Sequence, residues 1–340
     1  MRASLYRIPV PVPCTFARRI ARVNPLIINY HIVSDKRLPH VASIYDYRNV
    51  GRFTEDIDFL TSNFHIIRLS DLLDSISGKT KLPANSMLLT FDDGFKEVYD
   101  TAAPILIDHK VFPTVFITKK YIDNRELGYD HKKSLIAEQI LSQHGEHTGK
   151  KIRDILQENK LLHDDLISSV INIPYARRSV VDTIGDSVNI DFKGYLEDNR
   201  PYLTCGQLNE LLKQGFTLGG HSIDHPDFTE LTLTDQLHQA KESVDFVCRT
   251  FRVKYKAFAF PYWDGGISKE FFEEFSPFAD ATFGTQGLLN DSIGNNFQRI
   301  GIEKYDHPAQ RIIEANYIRK ILYRMINKDL ILRPRTNSLP

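Results

Sequence analysis

Ser86-Met87-Leu88-Leu89-Thr90-Phe91 is a nearly unbroken apolar run, and it stops abruptly at Asp92-Asp93-Gly94. A strand with one face in water alternates apolar and polar residues. A run without alternation is expected to be buried on both faces, as in a parallel sheet covered by helices. The same grammar recurs on either side. Pro25 to His31 is a short apolar run ending in polar residues, and Phe53, Ile57, Leu60 and Phe64 recur at helical spacing. A helical pattern over residues 100–109 leads into the next apolar run, Pro113-Thr114-Val115-Phe116-Ile117-Thr118. Strand, helix and strand in that order argue for a parallel α/β architecture. Folds of that kind build their sites in the loops at strand ends, where Asp92 and Asp93 fall.

Residues 122–203 read differently. They are rich in Lys, Asp, Asn and Gln, with helical patterns over 132–141 and 149–157. The expectation is one domain over residues 1–340 with a mostly helical insertion at 122–203, forming a lid or a wall of the cleft. The core pattern returns at Thr204, a helix cap before Leu208, Leu211 and Leu212, with Gly215 as the stop. Phe216-Thr217-Leu218-Gly219-Gly220 then delivers His221 at a strand end. A helix over 234–251, a strand over 255–260 and last strands near 279–284 and 297–302 follow. Residues 309–332 fit a closing helix, with a frayed tail from Arg333 onward.

Gly219-Gly220-His221-Ser222-Ile223-Asp224-His225-Pro226 offers two imidazoles four residues apart. A helix or an equally tight turn would bring them to one side. Asp93 would add a hard anionic ligand, leaving positions open for water and substrate as catalytic metal sites require. Asp92 is adjacent to Asp93, so on an extended chain its side chain diverges and is free to act on the attacking water. The competing reading, a surface Asp pair with core or capping histidines, stays open on pattern alone. Ser222 is read as a turn hydrogen-bonder, because no G-x-S-x-G surrounds it. Asp224 is read as solvated, and His144 and His147 as surface residues.

These segments resemble the polysaccharide deacetylase family, the NodB-like carbohydrate esterases. Thr90-Phe91-Asp92-Asp93-Gly94 matches the first motif and His221-Ser222-Ile223-Asp224-His225 the second, while Phe258-Ala259-Phe260-Pro261-Tyr262 looks like the third. The resemblance implies a distorted parallel (β/α) barrel of about seven strands. It also implies Asp92 as catalytic base, with Asp93, His221 and His225 binding a divalent metal, usually zinc. The Tyr262 backbone N–H would help to stabilise the oxyanion. The reaction implied is removal of an N-acetyl group from an N-acetylated sugar or glycan precursor.

Two departures stand out. Many relatives carry an arginine in the third motif that contacts the base, and its place here is taken by Ala259. They also carry a late Leu-x-His motif supplying the general acid, which this chain lacks. His307 is the only histidine after the third motif and is the candidate acid, against a solvated loop histidine. Arg299 could pair with the site, bind an anionic sugar or lie at the surface. Tyr30 and His31 could line the cleft, with His31 read first as a satisfied rim histidine. Tyr262 and Trp263 could offer a platform to a sugar face. Two rival functions remain: a carbohydrate-binding or scaffold protein that keeps the metal without turnover, or an amidase acting on a non-sugar amide.

Charge removes one class of partner. Lys plus Arg and Asp plus Glu number 43 each, so no global field favours nucleic acid. Cys14, Cys205 and Cys248 make no disulfide framework and suggest free thiols in a reducing compartment. Prolines and then Arg18, Arg19 and Arg22 interrupt any apolar leader, and no stretch approaches a membrane span. The expectation is a cytoplasmic protein; residues 16–23 read first as an ordinary solvated helix and only second as a short basic amphipathic turn for peripheral membrane attachment. A lipid-linked or nucleotide-linked sugar precursor would suit that location.

Overall fold

Parallel pairing organises the chain. In the computed structural model, residues 14–142, 145–303 and 306–336 are described, side chains excepted at 14–17 and 145–147. His144, the His147 ring, the Cys14 thiol, the Phe16 side chain and Tyr305 therefore lie outside the described residues. The strands are β1 (Leu26–Tyr30), β2 (His65–Ile66), β3 (Ser86–Phe91), β4 (Thr114–Ile117), β5 (Thr217–Gly220), β6 (Ala257–Ala259), β7 (Ala281–Gly284), β8 (Asn290–Asp291), β9 (Asn296–Gln298), β10 (Ile300–Gly301) and β11 (Leu330–Ile331).

The main sheet runs β10-β1-β3-β4-β5-β6-β7-β9, with β2 also bonded to β3 and every pairing parallel. Only Arg299 separates β9 from β10, so the two ends of this path meet at a single residue. The result is a nearly closed barrel of eight strands. The expected count of about seven is exceeded because the run at 297–302 breaks at Arg299, and each half joins a different end of the sheet. All residues of β1 and β3 are buried, as their unbroken apolar character requires.

Close approach explains the glycines before His221. A Cβ on Gly219 would lie 2.4 Å from the Phe116 ring, and one on Gly220 would lie 2.7 Å from Ser243 Oγ. Ser243 belongs to the helix Leu233–Phe251, which Thr232 caps by accepting from the Asp235 N–H. The helix Cys205–Gln214 is closed by a reciprocal Thr204–Gln207 box and by Gly215 at φ +104°. Each such cap contributes about 1 kcal/mol. The helix expected at 100–109 is split, with a π-helical turn over Val98–Ala102 and an α-helix over Ala103–Asp108. Pro104 lies in the first turn of the second piece, where its missing N–H is tolerated.

Residues 122–203 carry the helices Tyr129–Leu141, Gly145–Glu158, Leu166–Ile171, Arg178–Ser187 and Phe192–Asn199. They share an apolar core that includes Ile136, Ile152, Leu156, Val181 and Ile184. A second cluster, with Phe95, Tyr121, Leu127 and Tyr202, ties the first of these helices to the barrel. The closing helix is shorter than its sequence suggests, ending at Met325. Asn327 turns the chain at φ +53°, and β11 then pairs with β8. Nor is the tail frayed at its start: the Arg333 guanidinium is buried between Asp264 and Asp291. Among the described residues no helix is long and apolar enough to cross a membrane.

Candidate metal centre

β3 ends by delivering two carboxylates in different directions. The Asp92 N–H still donates to the Tyr30 carbonyl at 3.0 Å, continuing the ladder. Asp93 and Gly94 then adopt φ values of +70° and +81°, which turns the Asp93 side chain away. β4, β5 and β6 lie side by side, with Ile117 opposite Gly220 and Gly220 opposite Phe258. His221 thus emerges beside Asp93. Its Nε2 is 3.3 Å from Asp93 Oδ1, and His225 Nε2 is 3.2 Å from the same oxygen.

The donor set fits a cation. The three ligand atoms all lie within 4.8 Å of one another. Atoms that share an ion at about 2.0–2.2 Å stand about 3–3.5 Å apart, the spacing Asp93 Oδ1 keeps from each imidazole. Asp93 is 3 % exposed, and its Oδ1 has no hydrogen-bond partner among the described residues. A buried carboxylate oxygen without a donor is costly unless a positive charge faces it.

A bend over residues 221–227 brings the imidazoles together in place of a helical turn. Ser222 and His225 sit at φ +71° and +62°, and Ser222 Oγ accepts from the His225 N–H at 2.9 Å. Ser222 is the turn-maker its sequence context suggests. Asp224 is not solvated as expected: Lys120 Nζ lies 3.0 Å from it, and Gln239 Nε2 donates to it at 2.8 Å. Non-glycine residues at positive φ cost about 1–3 kcal/mol each, and such strain gathers where geometry matters more than stability.

Each imidazole is oriented from behind. His221 Nδ1 lies 2.9 Å from the Ala259 carbonyl, which leaves Nε2 to face Asp93. His225 Nδ1 faces Asp130 at 3.5 Å. Asp130 stands on the helix Tyr129–Leu141, so the segment read as a lid or wall supplies a buried carboxylate to this centre. Lys133 Nζ lies 2.6 Å from Asp130, and the Tyr262 hydroxyl also donates to it. Burial works against the charge of Asp130, but His225 and Lys133 overcome it and hold the carboxyl at about 2. Carboxylates that orient metal-binding histidines carry 10- to 100-fold in metal affinity. Asp130→Asn is therefore expected to weaken metal binding by about that factor and to lower the melting temperature of the apoprotein, because Lys133 keeps a buried charge beside a neutral partner. Calorimetric titration and thermal denaturation check the two halves.

Asp92 lies outside the triad, 4.0 Å from His221 Nε2 at its nearest approach. Arg299 grips it with both arms, Nη1 to Oδ1 at 2.7 Å and Nη2 to Oδ2 at 2.8 Å. Asn29 Nδ2 donates to Oδ2 at 3.0 Å. Burial raises the Asp92 pKa, yet the Arg299 charge and the His221 imidazole bring it below the ordinary carboxylate value. The arginine missing at Ala259 is thus replaced from the barrel seam, where Arg299 Nε also donates to the Gly284 carbonyl.

Opposite the triad, His31 follows β1 directly and so stands beside Asp92. Glu303 follows β10, and its carboxylate takes His31 Nδ1 at 2.8 Å and the His31 and Ile32 N–H groups at 2.8 and 2.9 Å. Burial lowers the His31 pKa, but hydrogen bonding and charge from Glu303 outweigh it and raise the imidazole to about 9. Its side chain remains 28 % exposed. The His307 carbonyl accepts from Arg48 Nη2 at 2.6 Å, and Arg48 itself pairs with Asp56 at 2.9 Å. The histidine that the strand register sets beside Asp92 is His31, whereas the candidate acid named from chain order was His307. That pairing comes from barrel closure and not from local sequence, since β1 pairs with β10 with Asn29 opposite Gly301, which sets His31 opposite Glu303.

Tyr262 adopts φ +51°, and no acceptor among the described residues takes its backbone N–H. Its ring lies 4.8 Å from that of His225. Trp263 beside it is 47 % exposed.

Comparison with known proteins adds an independent line. A family model described as polysaccharide deacetylase matches residues 79–161 and 191–274. The deacetylase PplD of Streptococcus pyogenes, solved with acetate, is 15 % identical, with a TM-score of 0.52 over 85 % of this chain and 96 % of that one. A de-N-acetylase from Aggregatibacter actinomycetemcomitans is 14 % identical, with a TM-score of 0.52 over 83 % and 96 %. IcaB from Ammonifex degensii is 14 % identical, with a TM-score of 0.52 over 86 % and 96 %. Likeness at such low identity speaks to the fold. Among curated proteins none matches the chain.

Proposed function

The chain belongs to the polysaccharide deacetylase family, and from that premise we propose that it hydrolyses the acetamide of an N-acetylated sugar in a glycan or glycan precursor. The observation that carries this reading is the division of labour at one strand end. Asp93 faces two imidazoles, while Asp92 is clasped by Arg299 and kept out of that cluster.

Asp93, His221 and His225 would hold a divalent cation, zinc by preference of one carboxylate and two imidazoles. Such an ion supplies Lewis acidity toward the amide oxygen and acidifies water, which matters because Asp92, held ionised, is a weak base. Asp92 takes a proton from the attacking water. The Tyr262 N–H donates to the oxygen that gains charge as the carbonyl becomes tetrahedral. His31 gives its proton to the nitrogen as the C–N bond breaks, releasing acetate and a free amine. Glu303 keeps that proton available at neutral pH. The exposed indole of Trp263 offers a face on which a sugar ring can stack.

Acetate release from N-acetylated oligosaccharides by metal-loaded protein tests the reaction. His31→Gln should lower kcat by about 10²- to 10⁴-fold with little change in KM. Because His31 must carry the proton, the wild-type rate should fall as pH rises through about 9. A variant that keeps both the rate and that alkaline limb would remove His31 from the mechanism.

A further inference from the structure

Exposed large apolar side chains are not scattered evenly over this protein. Ile20 on the helix Cys14–Ala21 and Leu322, Met325 and Ile326 at the end of the helix Ala309–Met325 are exposed where these two helices share a groove. Met325 is 76 % exposed. Single exposed apolar residues are ordinary, but a contiguous group marks an interaction surface. Cations rim the group. Arg19, Ile20 and Arg22 line one wall of a groove whose other wall is Ile321, Arg324 and Met325, and Lys328 follows just beyond. Among the described residues no carboxylate pairs with Arg19, Arg22, Arg324 or Lys328. The nearby acid in sequence, Asp329, is taken by Lys320 at 3.3 Å.

We infer that this patch docks the protein peripherally on a bilayer bearing anionic phospholipid. Its apolar tips would enter the headgroup boundary while the rim of cations meets the negative surface potential. The charge pattern argues against a second copy of the chain as occupant, since self-pairing would set unpaired cations against one another. The patch also lies at the end of the barrel away from the metal centre. The helix Cys14–Ala21 leads into the start of β1, whereas Asp92, His221 and His31 follow strand ends. Ala309, at the other end of the closing helix, donates to Asp56 beside Tyr30. Docking in this way leaves the cleft open to a substrate that extends away from the lipid.

Sedimentation of the full chain with vesicles tests the inference. Vesicles of phosphatidylcholine with about one-third phosphatidylglycerol should bind at least tenfold more protein than phosphatidylcholine alone. Arg19→Glu with Arg324→Glu should lower that partition at least tenfold. Met325→Ser with Ile326→Ser should also weaken it, although every charge is retained. Neither pair should alter acetate release from a soluble oligosaccharide. Absent or equal binding to the two vesicle types would overturn the inference. So would light scattering that shows a lipid-indifferent dimer dissociated by Met325→Ser with Ile326→Ser, because the patch would then be a contact between copies.

Discussion

Asp92→Asn should yield a protein that binds one metal ion per chain as the wild type does, yet releases acetate about 10³-fold more slowly or worse. The reasoning is geometric. Asp92 comes no closer than 4.0 Å to a triad imidazole, so the metal ligands lose nothing when its charge is removed. What disappears is the only ionised oxygen pair that Arg299 and Asn29 aim into the cleft at this strand end. The amide of Asn cannot accept the proton of water. Some stability should also be lost, because Arg299 would keep its buried charge beside a neutral partner. Stopped assays of acetate release alongside metal analysis of the purified variant separate the two effects. Loss of metal together with activity would mean that Asp92 is a ligand.

Arg299→Met should destabilise the fold by about 3–5 kcal/mol, the usual result of stranding one partner of a buried ion pair. Asp92 would be left buried without its counter-charge. The side chain of Arg299 is fully buried, lies over the Phe116 ring at 5.3 Å, and donates to Thr90 and Asn29 besides Asp92. Its backbone N–H and carbonyl bind Gly284 and Gly287 across the seam and are retained in methionine, so the loss reports on the side chain. Arg299→Lys should not rescue, since an ammonium cannot reproduce the two-armed grip. The double variant Arg299→Met with Asp92→Asn should recover a large part of the lost stability, as no lone charge is then buried. Denaturant unfolding of the four proteins in this cycle measures the coupling. Additive effects would mean that the pair is held apart in solution.

The residues legible in the sequence are those whose partners lie within one motif or at the end of an apolar run. Asp93, His221 and His225 follow strands that announce themselves by burial, and two glycines mark the tight approach before His221. The residues that support them were not legible, for a physical reason. Arg299 reaches Asp92 across 207 positions and Glu303 reaches His31 across 272, contacts that exist only because the barrel closes. The apolar pattern at 297–302 reads as one strand, and only the competing demands of β7 and β1 break it at Arg299. Asp130 was hidden differently. Its segment carries the polar composition of a surface helix, and nothing local shows that Lys133 and Tyr262 would bury its carboxylate against His225. His307 was a candidate only by its place in the chain order, whereas the register of β1 against β10 points to His31.

The most direct test strips the protein of metal and titrates zinc back while acetate release from an N-acetylated oligosaccharide is followed. One ion per chain should bind, with activity rising in proportion to occupancy, and Asp93→Ala should do neither. Undiminished acetate release from the stripped protein, or full stoichiometric binding by Asp93→Ala, would contradict the assignment of Asp93, His221 and His225.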